Sequence, residues 1–267
     1  MNCLDALGFS ASAAAEKGDT PAGGEDRACD QGGVSVIATI GGGGKTTLLR
    51  SLAGELREQG ARVVLATTTH FMPFDGIETV SSGDMRELER VLERDSVACA
   101  AAPAAGRAGA AGKLGPSPLS VAQLREVADV ALVEADGSKR LPFKLHASHE
   151  PVVPDDCARV VYVLGASGFG RPLSQVCHRA ELASERLGVD GGEPATPELV
   201  ARLLADEMAR GIVAPTQVIV NQAEDEATRE AARAFAEELQ RLGVAIPVLA
   251  GSIREHELER AAGSPDE

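Results

Sequence analysis

Val34-Ser35-Val36-Ile37-Ala38-Thr39-Ile40 runs directly into Gly41-Gly42-Gly43-Gly44-Lys45-Thr46-Thr47, and this junction decides the fold. The first run is rich in β-branched residues and nearly all apolar, the pattern of a strand buried on both faces of a parallel sheet. Beyond the glycines, Leu48, Leu49, Leu52 and Leu56 recur at helical spacing, and Gly60 ends the helix. A phosphate needs several backbone N–H groups converging on it, and glycine lets the chain wrap that closely. The helix that follows aims its positive N-terminal end at the same anion. In this reading Gly41, Gly42, Gly43, Gly44, Lys45, Thr46 and Thr47 bind a nucleotide's phosphates. Lys45 supplies a mobile charge for the β- and γ-phosphates, and the Thr46 hydroxyl is placed to ligate Mg²⁺.

The longer P-loop pattern wants glycine where Thr39 stands, so the loop has the shorter G-x-x-G-K-T-T form, which is similar to that of Mur-ligase-like proteins. Working outward, strands are predicted over 62–67, 97–99, 129–134, 159–164, 217–220 and 245–249. Helices are predicted over 84–93, from Ser120 through Val127, from Thr196-Pro197 onward, and over 228–242. Strands alternating with helices through the chain imply a three-layer α/β sandwich with a mostly parallel sheet, P-loop NTPase-like. Residues 101–118 include fourteen Ala, Gly or Pro among eighteen and read as a mobile loop. The expected domains are a short helix plus a low-complexity disordered segment over 1–33, a nucleotide-binding domain over 34–253, and a charged tail over 254–267 read as a helical turn and solvated end.

Composition narrows the function classes. The chain has 267 residues, 44% of them hydrophobic but only 3% aromatic, so Ala, Val and Leu must fill the core. A net charge of −14 repels nucleic acid and anionic membrane surfaces, so a phosphate ligand must be held by a local device. No apolar run approaches the ~20 residues of a spanning helix, and the start lacks a signal-peptide pattern. Five scattered cysteines without CxxC spacing argue against disulfides and a Cys-rich zinc site. The expected location is cytoplasmic.

The second chemical motif is Glu134-Ala135-Asp136-Gly137-Ser138-Lys139, with the first carboxylate at the tip of a strand. P-loop enzymes place a carboxylate there to hold Mg²⁺. Asp136, two residues on, faces the same way if the strand continues. Either carboxylate orients an attacking water while the other serves the metal. Lys139 lies beside them and is the first candidate to neutralise developing phosphoryl charge, ahead of Arg140, Arg171 and Arg179. Thr67-Thr68-Thr69-His70 follows the second strand and reads equally as a switch-like segment or as plain loop. His146 and His149 have metal-ligand spacing only on a helix, and neighbouring prolines make that stretch a loop. Cys177-His178 reads as a nucleophile with its base or as a helix start. Asn221 follows a buried strand, where it contacts a nucleobase or caps a helix.

Taken together, GGGGKTT (41–47), TTTH (67–70), VEADGSK (133–139), HEPVVP (149–154), GRPLSQVCHR (170–179) and VNQAED (220–225) resemble the YqeC family in order, and LDALGF (4–9) resembles its start. That family is described as selenium cofactor biosynthesis or selenium-dependent hydroxylase accessory proteins. The resemblance implies a P-loop protein that helps mature selenium-dependent molybdenum hydroxylases, with the hydroxylase or its cofactor-preparing enzymes as partners.

The function expected from these residues is Mg²⁺-dependent hydrolysis of ATP or GTP. Thr46 and Glu134 hold the metal, and Lys45, Glu134, Asp136 and Lys139 form the catalytic set. Two alternatives stand beside it. One is an ATP-dependent ligase or kinase acting on a small acid or selenium species, with His149 or Arg171 at the acceptor. The other is a switch that binds nucleotide without hydrolysing it.

Overall fold

The structure, a computed structural model, describes residues 1–9, 35–104 and 112–261. The expected disordered segment and the last residues of the expected tail lie outside the described residues. The fold is a three-layer α/β sandwich. Its strands are β1 (Ser35–Gly41), β2 (Val63–Thr67), β3 (Thr79–Val80), β4 (Val97–Ala100), β5 (Ala102–Pro103), β6 (Leu114–Gly115), β7 (Val130–Glu134), β8 (Phe143–Lys144), β9 (Arg159–Gly165), β10 (Cys177–His178), β11 (Gln217–Asn221), β12 (Val248–Ser252) and β13 (Glu257–Arg260). The helices are α1 (Cys3–Ala6), α2 (Lys45–Glu58), α3 (Met85–Asp95), α4 (Val121–Val127), α5 (Leu173–Val176), α6 (Glu181–Leu187), α7 (Pro197–Ala209) and α8 (Glu226–Arg241).

The main sheet has nine strands in the order β13-β12-β11-β9-β1-β7-β2-β4-β3, parallel except for β13. Strand β1 sits near its centre, flanked by β7 and β9. Alternation along β1 explains the layers. Ile37 points into a core built with Leu4 and Leu7 around α1 and with Leu48, Leu49, Leu52 and Leu56 of α2. Val36 points the other way, against Leu88, Val91 and Leu92 of α3 and Leu124 of α4. Ala38 and Ile40 share that second face but meet the α7–α8 half, with Leu203, Leu204, Phe235 and Leu239. A buried parallel sheet covered on both faces is the arrangement its continuous apolar strands demand.

Local signals place the helix starts. Asp84, Thr196 and Asp225 each cap the helix that follows, and Ser120 with Gln123 completes a capping box. Three expectations change. The final parallel strand begins at Val248, because Pro247 has no N–H for the ladder. Residues 257–260 form an antiparallel edge strand where a helical turn was expected; Leu258 alone is buried, and its charged neighbours face solvent. Within 101–118, expected to be a coreless loop, β5 pairs with β6, and Leu114 packs against Phe71 through a β-bridge.

Candidate functional site

The loop between β1 and α2 lies at the carboxyl edge of the sheet, where open α/β folds bind ligands. Helix α2 begins at Lys45 after Gly44, which makes no side-chain cap. The first intrahelical bond runs from Leu48 N to Gly44 O (3.0 Å), so the amides of the preceding turn are left to an outside acceptor. They open onto a cavity of 720 Å³ lined by Gly43, Gly44, Lys45, Thr46 and Thr47.

The glycines divide their work differently from the sequence expectation. Gly41 N donates to Asp136 Oδ2 (2.8 Å), Gly42 N to Val163 O (2.8 Å) and Gly43 N to Leu141 O (3.1 Å). Their amides are therefore spent on protein, and the anion-facing donors are those from Gly44 into the helix. What Gly43 supplies is close packing: its φ is +62°, and a Cβ there would stand 2.1 Å from Gly165 N. Gly43→Ala is therefore expected to cost more than about 2 kcal/mol through strain plus backbone collision. Gly60→Ala is equally strained (φ +84°) but has nothing within 4 Å, and should cost only about 1 kcal/mol. Urea unfolding of the two variants separates these terms.

Register sets the carboxylates. Strand β7 pairs beside β1 with Thr39 opposite Glu134, and β2 places Thr67 opposite the same residue. Glu134 lines the cavity, and its Oε2 accepts from the Thr46 hydroxyl at 2.9 Å. Burial raises its pKa above the ordinary value, opposed by Lys45 and by the Thr46 bond. Strand β7 ends at Glu134, and Asp136 lies just beyond it, with its carboxylate meeting the same Lys45 ammonium. Asp136 is fully buried and does not line the cavity. Burial opposes its charge, yet Lys45, His146 and Lys144 hold its carboxyl well below the usual carboxylate range.

Lys45 is buried. Its Nζ donates to Gly41 O at 2.6 Å and stands 3.0 Å from Asp136 Oδ1 and 4.0 Å from Glu134 Oε1. The Oδ1 contact is an ion pair without hydrogen-bond alignment, so that oxygen has a charge beside it but no donor.

Behind Asp136 runs a chain of buried charges that sequence reasoning missed. His146 Nε2 lies 2.7 Å from Asp136 Oδ2, and its Nδ1 lies 2.8 Å from Glu207 Oε2. Glu207 also accepts from His146 N (2.6 Å) and from Arg186 Nη1 (2.9 Å). With a carboxylate on each side, the ring satisfies both when both its nitrogens donate, the arrangement an imidazolium provides. Burial lowers the His146 pKa, but the bonds to Asp136 and Glu207 outweigh it and raise it above the ordinary value. Lys144, also fully buried, donates to Gly137 O (2.8 Å) and pairs with Glu150 (3.1 Å). One sequence signal existed: Glu207 continues the apolar stripe of Val200, Leu203 and Leu204 along α7, an unusual place for a carboxylate.

Lys139 and Arg140 line the cavity from a turn closed by Leu141 N to Ser138 O, both with left-handed backbone (φ 52° and 63°). Lys113 lines it too, so cations gather here on a chain of net negative charge; His178 also lines it, but burial and the nearby Lys139, Lys144 and Arg179 lower its pKa and favour the neutral ring. Thr69 and His70 reach the cavity, whereas Thr67 donates to Glu134 O and Thr68 to Val152 O. Arg171 and His149 are exposed and do not line it, and Arg179 is paired with Glu150. Asn221 does not line it either. Its Nδ2 donates to Gly43 O (2.8 Å) and its Oδ1 accepts from Ile253 N (3.0 Å), so it ties down the loop where base contact or a helix cap was expected. Cys177 lies in β10, and burial, with Glu207 adding, pushes its thiol up to about 12, which leaves it without nucleophilic character at neutral pH.

A family model described as YqeC protein matches residues 37–181. The Escherichia coli (strain K12) protein described as "Uncharacterized protein YqeC" is 33% identical over 141 residues, 52% of this chain and 55% of that protein. The chain thus spans about half the length of the curated relative it matches. Among solved structures, chloroplast FtsY from Physcomitrella patens aligns with a TM-score of 0.43 and 18% identity, over 89% of this chain and 63% of that one. The signal recognition particle receptor FtsY from Elizabethkingia anophelis in complex with GDP aligns with a TM-score of 0.42 and 19% identity, over 95% and 67% of the two chains. No described helix is long and apolar enough to cross a membrane.

Proposed function

The chain belongs to the YqeC family, and from that membership and the geometry of its loop we propose that it binds a nucleoside triphosphate with Mg²⁺ and hydrolyses it. The observation that carries this reading is the uncapped start of α2, opening with Lys45 and the Thr46–Glu134 pair onto one cavity. A helix end with unsatisfied amides and a positive dipole is a ready anion site.

The donor set fits a hard cation. A hydroxyl and a carboxylate 2.9 Å apart at the cavity wall match the way Mg²⁺ is usually held, by one or two protein oxygens plus phosphates and water. When bound there, Mg²⁺ would supply neutralisation of the triphosphate's charge. On this reading Lys45 leaves Gly41 O and reaches the phosphates. Asp136 keeps its place through Gly41 N and His146, and so holds the loop while its lysine partner moves. Of Glu134 and Asp136, Glu134 reaches the cavity to orient water, and Lys139 and Arg140 face the developing phosphoryl charge.

A second reading draws on the cations themselves. Lys113, Lys139 and Arg140 on one cavity suit a bound anionic acceptor, which would make the chain a group-transfer enzyme. Product analysis decides between the two, since hydrolysis releases inorganic phosphate without any acceptor present. The biological role we propose is assistance in maturing selenium-dependent molybdenum hydroxylases; the family resemblance of VEADGSK and HEPVVP supports it.

A thermal-shift panel of ATP, GTP, ADP and GDP, with and without Mg²⁺, tests the binding half. A ligand at 100 times its Kd stabilises by about 2.7 kcal/mol. The expected result is a rise in Tm with one base's triphosphate that is larger with Mg²⁺. No shift with any of the four would overturn it.

A further inference from the structure

Far along α2 from the nucleotide cavity, Cys3, Glu55 and His256 bring a thiol, a carboxylate and an imidazole together, with their ligating atoms all within 4.8 Å of one another. They come from α1, α2 and the turn between β12 and β13. We propose that these three side chains bind a divalent cation of the zinc class, as a site separate from the nucleotide's Mg²⁺.

The ligand set selects the metal. Sulfur, nitrogen and one carboxylate oxygen suit Zn²⁺ and related borderline ions, whereas Mg²⁺ wants oxygen alone. Zinc bonds of about 2.0–2.3 Å in a tetrahedron hold their donors roughly 3.3–3.8 Å apart. The cluster needs only small movement to meet that: the His256 Nδ1 to Glu55 Oε1 contact, 2.6 Å as a hydrogen bond, opens by about 1 Å.

The carboxylate is already oriented. Glu55 Oε1 accepts from Cys3 N (3.0 Å) and Oε2 from Leu4 N (2.7 Å), so backbone donors fix the ligand as outer partners do in metal sites. Without a cation, Cys3 is fully buried beside that carboxylate. A bare thiolate there would set two negative charges side by side in a dry place. With Zn²⁺ the thiolate and carboxylate balance the ion's two charges, so the buried group becomes neutral overall. The exchange is a substitution without redox: the S–H proton leaves to solvent, an S–Zn bond forms, and His256 binds as neutral imidazole through Nδ1 with its proton on Nε2. His256 is about half exposed (48%), which gives a metal a way in from solvent. Bound metal would clip the first helix and the β12–β13 turn to α2, joining residues 201 apart in sequence.

Co²⁺ titration of the full chain, followed by absorption, tests this. The expected result is one equivalent bound, with a thiolate-to-cobalt charge-transfer band and tetrahedral d–d bands, displaced by Zn²⁺ and unaffected by excess Mg²⁺. Cys3→Ser should abolish the charge-transfer band. His256→Ala, at an exposed turn, should weaken binding at least tenfold while the metal-free circular dichroism matches the parent. No band in the parent chain, a full band in Cys3→Ser, or unaltered affinity in His256→Ala would each overturn the proposal. The nucleotide panel reads out separately, so either result stands without the other.

Discussion

Lys45→Ala is expected to lower phosphate release from the nucleoside triphosphate by about 10²- to 10³-fold, the scale of losing one preorganised donor to developing charge. The ammonium belongs to the first residue of α2 and lies within 4.0 Å of two carboxylates, Glu134 at the end of β7 and Asp136 just beyond it. Lys139 and Arg140 reach the cavity from a separate turn. The fold should survive, because Asp136 keeps His146 at 2.7 Å, Lys144 at 3.6 Å and the Gly41 amide. Circular dichroism should therefore match the parent protein while turnover collapses. Turnover within a factor of three of the parent would contradict the assignment of Lys45.

His146→Ala carries the largest expected stability loss. The ring bridges two buried carboxylates, and its removal leaves Asp136 and Glu207 each short of a donor in a dry interior. Removing one partner from a buried, hydrogen-bonded charge group typically costs about 3–5 kcal/mol. For a chain of this size that corresponds to a fall in Tm of roughly 6–20 °C. Its pH dependence has a definite sign. The folded state raises the His146 pKa above its unfolded value of about 6.5, so the folded protein holds the proton more tightly. That stabilisation is fully present below about pH 6.5 and is lost as pH rises through the folded-state value. The stability gap between parent and His146→Ala should therefore narrow as pH rises through the folded-state value, and a gap that widens instead would contradict a charged ring. His146→Gln, able to donate to only one carboxylate, should recover part of the loss.

Much of the fold was legible in local sequence, for physical reasons. The apolar run into the glycines could only be a buried strand meeting a tight turn, and the Leu48–Leu56 spacing fixed the helix. Glu134 followed from its place after four apolar residues, and the helix caps followed from side-chain chemistry. What stayed hidden depends on distant partners. Asp136 is buried off the cavity because its amide and ammonium partners come from β1 and α2, some 90 residues earlier. His146 reads as a loop residue until Glu207, 61 residues on, is brought against it. Strand β13 carries one inward apolar residue, too few to show a period. The loop glycines pointed to the phosphate site, yet much of their use is close packing on Val163, Leu141 and Gly165, a requirement only the assembled sheet reveals.

Calorimetric titration of the parent chain and Lys45→Ala with a non-hydrolysable triphosphate, in the presence and absence of Mg²⁺, tests most directly whether the start of α2 grips a triphosphate. The expected result is one site per chain, tightened by Mg²⁺ and weakened at least tenfold in Lys45→Ala. Absence of binding to the parent, or equal affinity in the two proteins, would contradict it.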